Sequence, residues 1–143
     1  MSFENRVRSS FGQQGLMITL GASLESVSSG SVEIVLVPRA EVSQQHGFVH
    51  AGAVCAIADS AAGYAALTLM PAEAGVLTAE LKINLMAPAI GDRIVARGRV
   101  VKAGRTLTVA QTDVFAETGG QSKLIALLTA TLVTVAGREN VRD

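Results

Sequence analysis

The sequence predicts an α+β domain in which one antiparallel sheet wraps a single long helix. Three observations carry this. Between Ala51 and Met70 nearly every residue is apolar or small, alanine recurs throughout and Asp59 is the only charged side chain, the composition of a buried helix. From Leu77 to Leu85 apolar and polar residues alternate with period two, the pattern of a strand with one covered face. The other strand-like runs are joined by turns too short for parallel crossovers, so the sheet is antiparallel.

Taken in order, Phe3, Val7 and Phe11 recur at four-residue spacing and mark one face of a short helix over about 3–12, closed by Gly12. Leu16 to Val27 reads as extended chain, Ser28-Ser29-Gly30 supplies a turn, and the β-branched run Val32 to Val37 completes a hairpin. Pro38 lacks an amide donor and ends that pairing; a polar loop through Ser43, Gln44 and Gln45 leads on to His46 and Gly47. The central helix spans about 51–70 and stops before Pro71. After the alternating strand, Arg93–Lys102 and Thr106–Ala116 flank the turn signal Ala103-Gly104, and a last strand runs Leu124–Val135 beyond Gly119-Gly120. The charged residues that follow are expected to fray. No repeat or linker interrupts this order, so residues 1–143 form one domain, long enough to bury a core without disulfides or a structural metal.

Composition removes several functional classes. The formal net charge is zero and the basic residues form no long run, so nothing draws the chain to polyanions, and at 3% aromatic residues it lacks stacking platforms for nucleic acid. The central apolar segment is long enough to approach a membrane span, but Asp59, Gly52 and Gly63 within it argue for a protein interior instead. Cys55 is the only cysteine and sits among apolar neighbours, consistent with a reduced thiol and a cytoplasmic protein. The opening residues Met1-Ser2-Phe3-Glu4-Asn5-Arg6 carry charge where an export signal is apolar.

The chemistry concentrates between Gln44 and Thr78. A carboxylate inside an apolar helix must be paired, hydrogen-bonded, protonated or turned toward a cavity, because leaving it ionised and dry costs several kcal/mol. Asp59 is therefore either a structural group satisfied by a neighbouring element or a reactive one, attacking a carbonyl directly or acting as general base toward water. Such a reaction also needs donors for an oxyanion, and the first turn of the helix, at Ala51 and Gly52, offers free amides and the positive dipole end. Gly47 permits a tight loop just before it. Ala51 and Asp59 lie eight residues apart, roughly 12 Å along a helix, so they cannot touch one carbonyl from the same chain. If both act, the amide comes from one subunit and the carboxylate from another, with two helices antiparallel across a twofold axis. His46 and His50 precede the helix and find no third partner, so no metal site is expected, and His50 is assigned to organising the loop at the helix start. No serine sits in a nucleophile turn, which leaves a Ser-His-Asp triad unsupported.

The segment His46 to Ala65, HGFVHAGAVCAIADSAAGYA, resembles the active-site helix of hotdog-fold thioesterases related to the phenylacetic-acid-pathway (PaaI-like) enzymes, a helix written HGG with Asp seven residues on. The stretch GVLTAELKINLMAPA from Gly75 to Ala89 is similar to the strand that follows it in that family. The resemblance implies a hotdog fold, a homodimer that pairs into a tetramer, and hydrolysis of acyl-CoA at sites shared between subunits, with no cofactor. By position Asp59 matches the catalytic carboxylate, and the Ala51 amide the donor that polarises the thioester carbonyl. Gln44 falls where an asparagine orients substrate or water, and Thr78 where a Ser or Thr orients water, although alternation puts Thr78 on the face opposite Leu77. Ala51 in place of the second motif glycine, and Gln44 in place of asparagine, depart from the pattern. His50 and Gly52 shape the substrate-binding helix start, and Lys102 and Arg105, flanking a hairpin turn, are candidates for the CoA phosphates. The expected activity is acyl-CoA hydrolysis. Two alternatives stand beside it: a noncatalytic acyl-CoA sensor, motivated by the two departures, and a hotdog dehydratase or hydratase.

Overall fold

A computed structural model describes residues 1–143 and contains the expected sheet and central helix. Helix α1 (Phe3–Gln13) is capped by the Ser2 hydroxyl, which accepts from the Asn5 amide. A short helix α2 (Gly15–Leu20) follows, then strands β1 (Ser23–Ser28) and β2 (Ser31–Leu36). The central helix α3 spans Ala51–Leu67, and after it come β3 (Gly75–Leu85), β4 (Arg93–Ala103), β5 (Leu107–Thr118) and β6 (Gln121–Val135). The six strands form one sheet in the order β1-β2-β4-β5-β6-β3, with every neighbouring pair antiparallel.

The core lies between α3 and the concave sheet face. In one register row Ile34, Ala96, Val114 and Ala126 pair across four strands and all are inaccessible. The helix approaches closely because β4 carries Gly98 beneath it: a Cβ there would overlap the Ala61 backbone. Within the core the Thr112 hydroxyl ties the sheet to the helix, donating to the Ala58 carbonyl at 2.8 Å.

Several expectations are corrected. Residues 16–20 are helical, not extended: Met17 and Leu20 pack inward from one turn, and Gly21, at φ 70°, closes it as a left-handed C-cap. The central helix ends at Leu67 rather than Met70, since the residue before Pro71 disfavours helical geometry and the last turn tightens into i→i−3 bonds at Leu69 and Met70. On α1, Val7 is fully buried but Phe3 stays 40% exposed. The segment after β6, expected to fray, is tied back near its end: Val141 backs onto Gly75, and Asp143 hydrogen-bonds to Ser10 and Val76.

Strand β3 departs most. A bulge between Thr78 and Glu80 interrupts the alternation, so the residues facing α3 are Val76 and Thr78 before it and Leu81, Ile83 and Leu85 after it, the last four opposite the buried Leu132, Ala130, Leu128 and Ala126 of β6. Leu77 is thereby left on the outer face. β3 is also a sheet edge, and Leu77, Leu81 and Leu85 remain 52%, 38% and 52% exposed, where a covered face was expected.

Candidate active site

Of the recesses along the central helix, one of about 270 Å³ sets Gly52 and Ala56 against Leu16, Leu20 and Val42, and two others hold most of the candidate groups. The first of these two, about 440 Å³ and mostly apolar, lies at the helix start and is lined by Gln44, Phe48, His50, Ala51, Leu85 and Met86 among others. The second, about 310 Å³ and largely polar, lies along the middle of the helix between Asp59, Ser60, Tyr64, Thr78 and Gln14. The residues singled out in the sequence are thus brought into two groups rather than one. Gln44, His50 and Ala51 line the first recess, and Asp59 and Thr78 the second.

At the helix start His50 is the N-cap, with extended backbone (φ −60°, ψ 137°), and its Nδ1 accepts the Gly52 amide at 2.7 Å. That bond fixes the imidazole with its proton on Nε2. It also accounts for the glycine, since a Cβ at position 52 would sit 3.0 Å from Nδ1. The Gly52 amide is therefore committed to His50, and Ala53 and Val54 donate to the His50 carbonyl. The Ala51 N–H has no acceptor in the chain and faces the recess, so the candidate oxyanion donor is a single amide reinforced by the helix dipole. The loop before it is a turn closed by Gln44 and Phe48, with Gly47 at φ 86°; the Gln44 side-chain oxygen Oε1 accepts the His46 amide, which leaves its NH₂ to reach the recess.

Asp59 is half-buried, not enclosed. Ala51, Gly52, Cys55, Ala56, Asp59 and Ser60 form one stripe of α3 that the sheet does not cover, while the opposite side is buried. The carboxylate is satisfied by Thr78, whose hydroxyl donates to Oδ1 at 2.8 Å. The bulge at Ala79 makes this bond possible by turning Thr78 toward the helix, a step that simple alternation misses. Oδ2 takes no proton from the chain. Cys55, one turn before Asp59, has its thiol pKa raised, first by burial and then by the Asp59 charge, so it remains a neutral SH.

Lys102 and Arg105 are exposed at the β4–β5 turn and line neither recess. The register sets that turn at the sheet end where β3 begins, since Leu107 and Leu77 both pair with Val133. No three His, Cys, Asp or Glu side chains converge as a metal site would require, and no helix is long and apolar enough to cross a membrane. Sequence reasoning missed Gln14, Ser60 and Tyr64, which wall the polar recess. Ser60 was the accessible signal, a second polar residue beside Asp59 on an apolar helix.

Comparison with known proteins gives consistent results. The profile of the Thioesterase superfamily matches residues 46–123, from the loop before α3 to the start of β6. A thioesterase family protein from Silicibacter pomeroyi, of known crystal structure, is 46% identical; the match covers 95% of this chain and 100% of that one at a TM-score of 0.93. The Halobacterium salinarum protein named Putative esterase VNG_1336C is 32% identical over 114 residues, 76% of this chain and 74% of its own. The PaaI protein of the Escherichia coli phenylacetic acid degradation operon shares the fold at 19% identity, with a TM-score of 0.84 and 94% coverage of both chains.

Proposed function

The chain belongs to the thioesterase superfamily and is a hydrolase of the hotdog fold, and from that premise we propose that it cleaves acyl-CoA thioesters at a site built by two subunits. The observation that carries this reading is the division of the site. The free Ala51 amide and the Asp59 carboxylate belong to one helix and different recesses, eight residues or roughly 12 Å apart. A second copy laid antiparallel along the uncovered stripe brings its Ala51 to the first copy's Asp59.

In the composite site the thioester carbonyl oxygen accepts from Ala51 N–H at the positive end of α3, where charge develops as the carbon becomes tetrahedral. Asp59 acts as general base. Thr78 occupies Oδ1, so Oδ2 is free to take a proton from a water that the Thr78 oxygen lone pairs and the Gln44 amide help to orient. The activated water attacks the thioester carbon, the tetrahedral intermediate expels the CoA thiolate, and the free acid leaves. His50 holds Gly52 and thereby the pitch of the first turn, and Lys102 and Arg105 meet the CoA phosphates at the sheet end.

The assembly follows from unsatisfied surfaces. The outer edge of β3 is unpaired, Leu81, Leu85 and Met86 are exposed beside it, and the helix stripe is made of small residues. Pairing β3 with its copy and covering the stripe resolves both, giving a homodimer; the outer-face Leu77 and Leu107, each 52% exposed, provide the surface on which two dimers meet. The cytoplasm is the compartment we assign.

The test is thiol release from a panel of acyl-CoAs by wild type and Asp59→Asn. Wild type turns over at least one of them, and Asp59→Asn loses at least about 10²-fold in kcat while keeping its fold and dimer, the scale of losing a positioned general base. Tight binding of acyl-CoA with no thiol released by wild type would replace this reading with that of a sensor.

A further inference from the structure

The reaction just described gives no role to a carboxylate that lines the far end of the polar recess, Asp143, or to the arginine packed behind it. Arg6 is only 6% exposed, and its guanidinium donates to the main-chain oxygens of Met70 (3.3 Å), Ala74 and Asp143 (3.0 Å). Burial lowers the Arg6 pKa and the nearby Asp143 charge opposes that change. These contacts pin the connection between α3 and β3 to the segment after β6. The Asp143 carboxylate then makes two bonds of its own, accepting the Val76 amide at Oδ2 (2.8 Å) and the Ser10 hydroxyl at Oδ1 (2.7 Å).

Both bonds lead back to Asp59. Through the main chain, Val76 lies two residues before Thr78, ahead of the bulge that aims Thr78 at the Asp59 carboxylate. Through side chains the proton directions can be assigned. The Ser10 hydroxyl has one proton and gives it to Asp143, so at 3.2 Å it must accept from Tyr64 OH. Tyr64 accepts from Gln14 Nε2 at 3.3 Å, and Gln14 Oε1 accepts from the hydroxyl of Ser60, the neighbour of Asp59, at 2.9 Å. The chain Ser60→Gln14→Tyr64→Ser10 therefore terminates on the same carboxylate that holds Val76.

We propose that Asp143 is a positioning residue for the Asp59–Thr78 pair: it fixes the start of β3 through the Val76 amide and the Asp59 turn of α3 through the Tyr64 chain. The inference rests on the thioesterase reading for its kinetic test but not for its structural one. Because Asp143 acts through the Asp59–Thr78 pair, its loss is felt in turnover and not in substrate affinity.

The experiment is a double-mutant cycle on Asp143→Ala and Thr78→Val, with Asp143→Asn as the conservative variant, reading kcat, KM and Tm. Asp143→Ala lowers kcat about tenfold with KM within about twofold, the scale expected when a reacting group loses its placement but not its chemistry. Asp143→Asn retains an oxygen for the Val76 amide and recovers kcat to within about threefold of wild type, and the double variant loses less than the product of the two single losses. Additive losses, an Asn variant no better than Ala, or an Ala variant with lower Tm and unchanged kcat overturn the proposal. If Asp143→Ala fails to fold, Asp143→Glu carries the test: it keeps a charge opposite Arg6 but displaces its oxygens by one methylene, so kcat falls while Tm holds, and an unchanged kcat refutes it. If wild type releases thiol from no acyl-CoA, the function fails separately. Positioning is then judged from crystal structures of wild type and the Asp143 variant, where an intact Thr78–Asp59 bond in the variant overturns it and a broken one supports it.

Discussion

The shared site can be tested by removing its two halves on different chains. Ala51→Pro is the sharper perturbation because it deletes one atom group and little else. Ala51 is the first residue of α3, where proline is well tolerated since its N–H has no intrahelical acceptor, and His50 before it already has the extended backbone (φ −60°, ψ 137°) that a following proline demands. The helix is therefore expected to form while the oxyanion donor is lost, at a cost of about 10²–10³ in kcat. Asp59→Asn removes the other half. When the two dead variants are co-expressed with different tags and associate at random, half the dimers are mixed, and each mixed dimer has one site with both lesions and one with neither. Thiol release then recovers to about a quarter of the wild-type rate per chain, a consequence of twofold symmetry alone. Purifying the doubly tagged dimer raises it to about a half. If the mixture stays as inactive as its parents although mixed dimers are present, both groups act from one chain, and the antiparallel arrangement would be wrong.

Two further perturbations probe the frame and the environment of the charge. Gly98→Ala places a methyl group against the Ala61 backbone, so the variant loses about 2 kcal/mol in urea unfolding, within the range for overpacked cores; a change below about 0.5 kcal/mol contradicts the close helix–sheet approach. Cys55 has a raised thiol pKa from burial and from Asp59, so the reactive thiolate appears only at higher pH than in a free cysteine and alkylation at neutral pH is slow. Replacing Asp59 by Asn removes the second cause, so at a fixed pH the thiolate fraction rises and whatever alkylation the assembly permits is faster; equal rates at every pH would exclude that coupling.

The central helix and its carboxylate were legible because a charge in an alanine-rich run has few explanations, and the sheet was legible because its turns are short. What could not be read has physical causes in particular residues. The bulge at Ala79 has no glycine or proline to announce it, yet it breaks the alternation, so that Leu81, Ile83 and Leu85 face as the pattern predicts while before it Thr78, not Leu77, turns to α3 and Asp59. Helix α2 was hidden by its length of six residues, although Gly21 at its end was a usable stop signal. Arg6 gave no hint of burial because what satisfies it is main-chain carbonyl groups and a residue 137 positions away. Asp59 was expected inside the protein because the helix is apolar all round, but an apolar surface says only that something covers it.

For α3 that cover has a definable geometry. If two copies lie antiparallel with Ala51 of one beside Asp59 of the other, the twofold axis passes midway between those positions, at the level of Cys55. The stripe on either side of this point consists of Gly52, Cys55 and Ala56, all small, which permits the short interaxial distance that brings a backbone N–H and a side-chain carboxylate to one carbonyl. A residue at the axis meets its own copy, so a charge there faces a like charge in a site with little water. A neutral thiol meets that condition, whereas Asp59 sits one turn away and faces the partner's helix start, the end whose dipole is favourable to an anion. In the proposed dimer the reacting charge is displaced from the axis by one turn and its donor equally in the other direction, and the eight-residue spacing between Ala51 and Asp59 is the spacing that this arrangement requires.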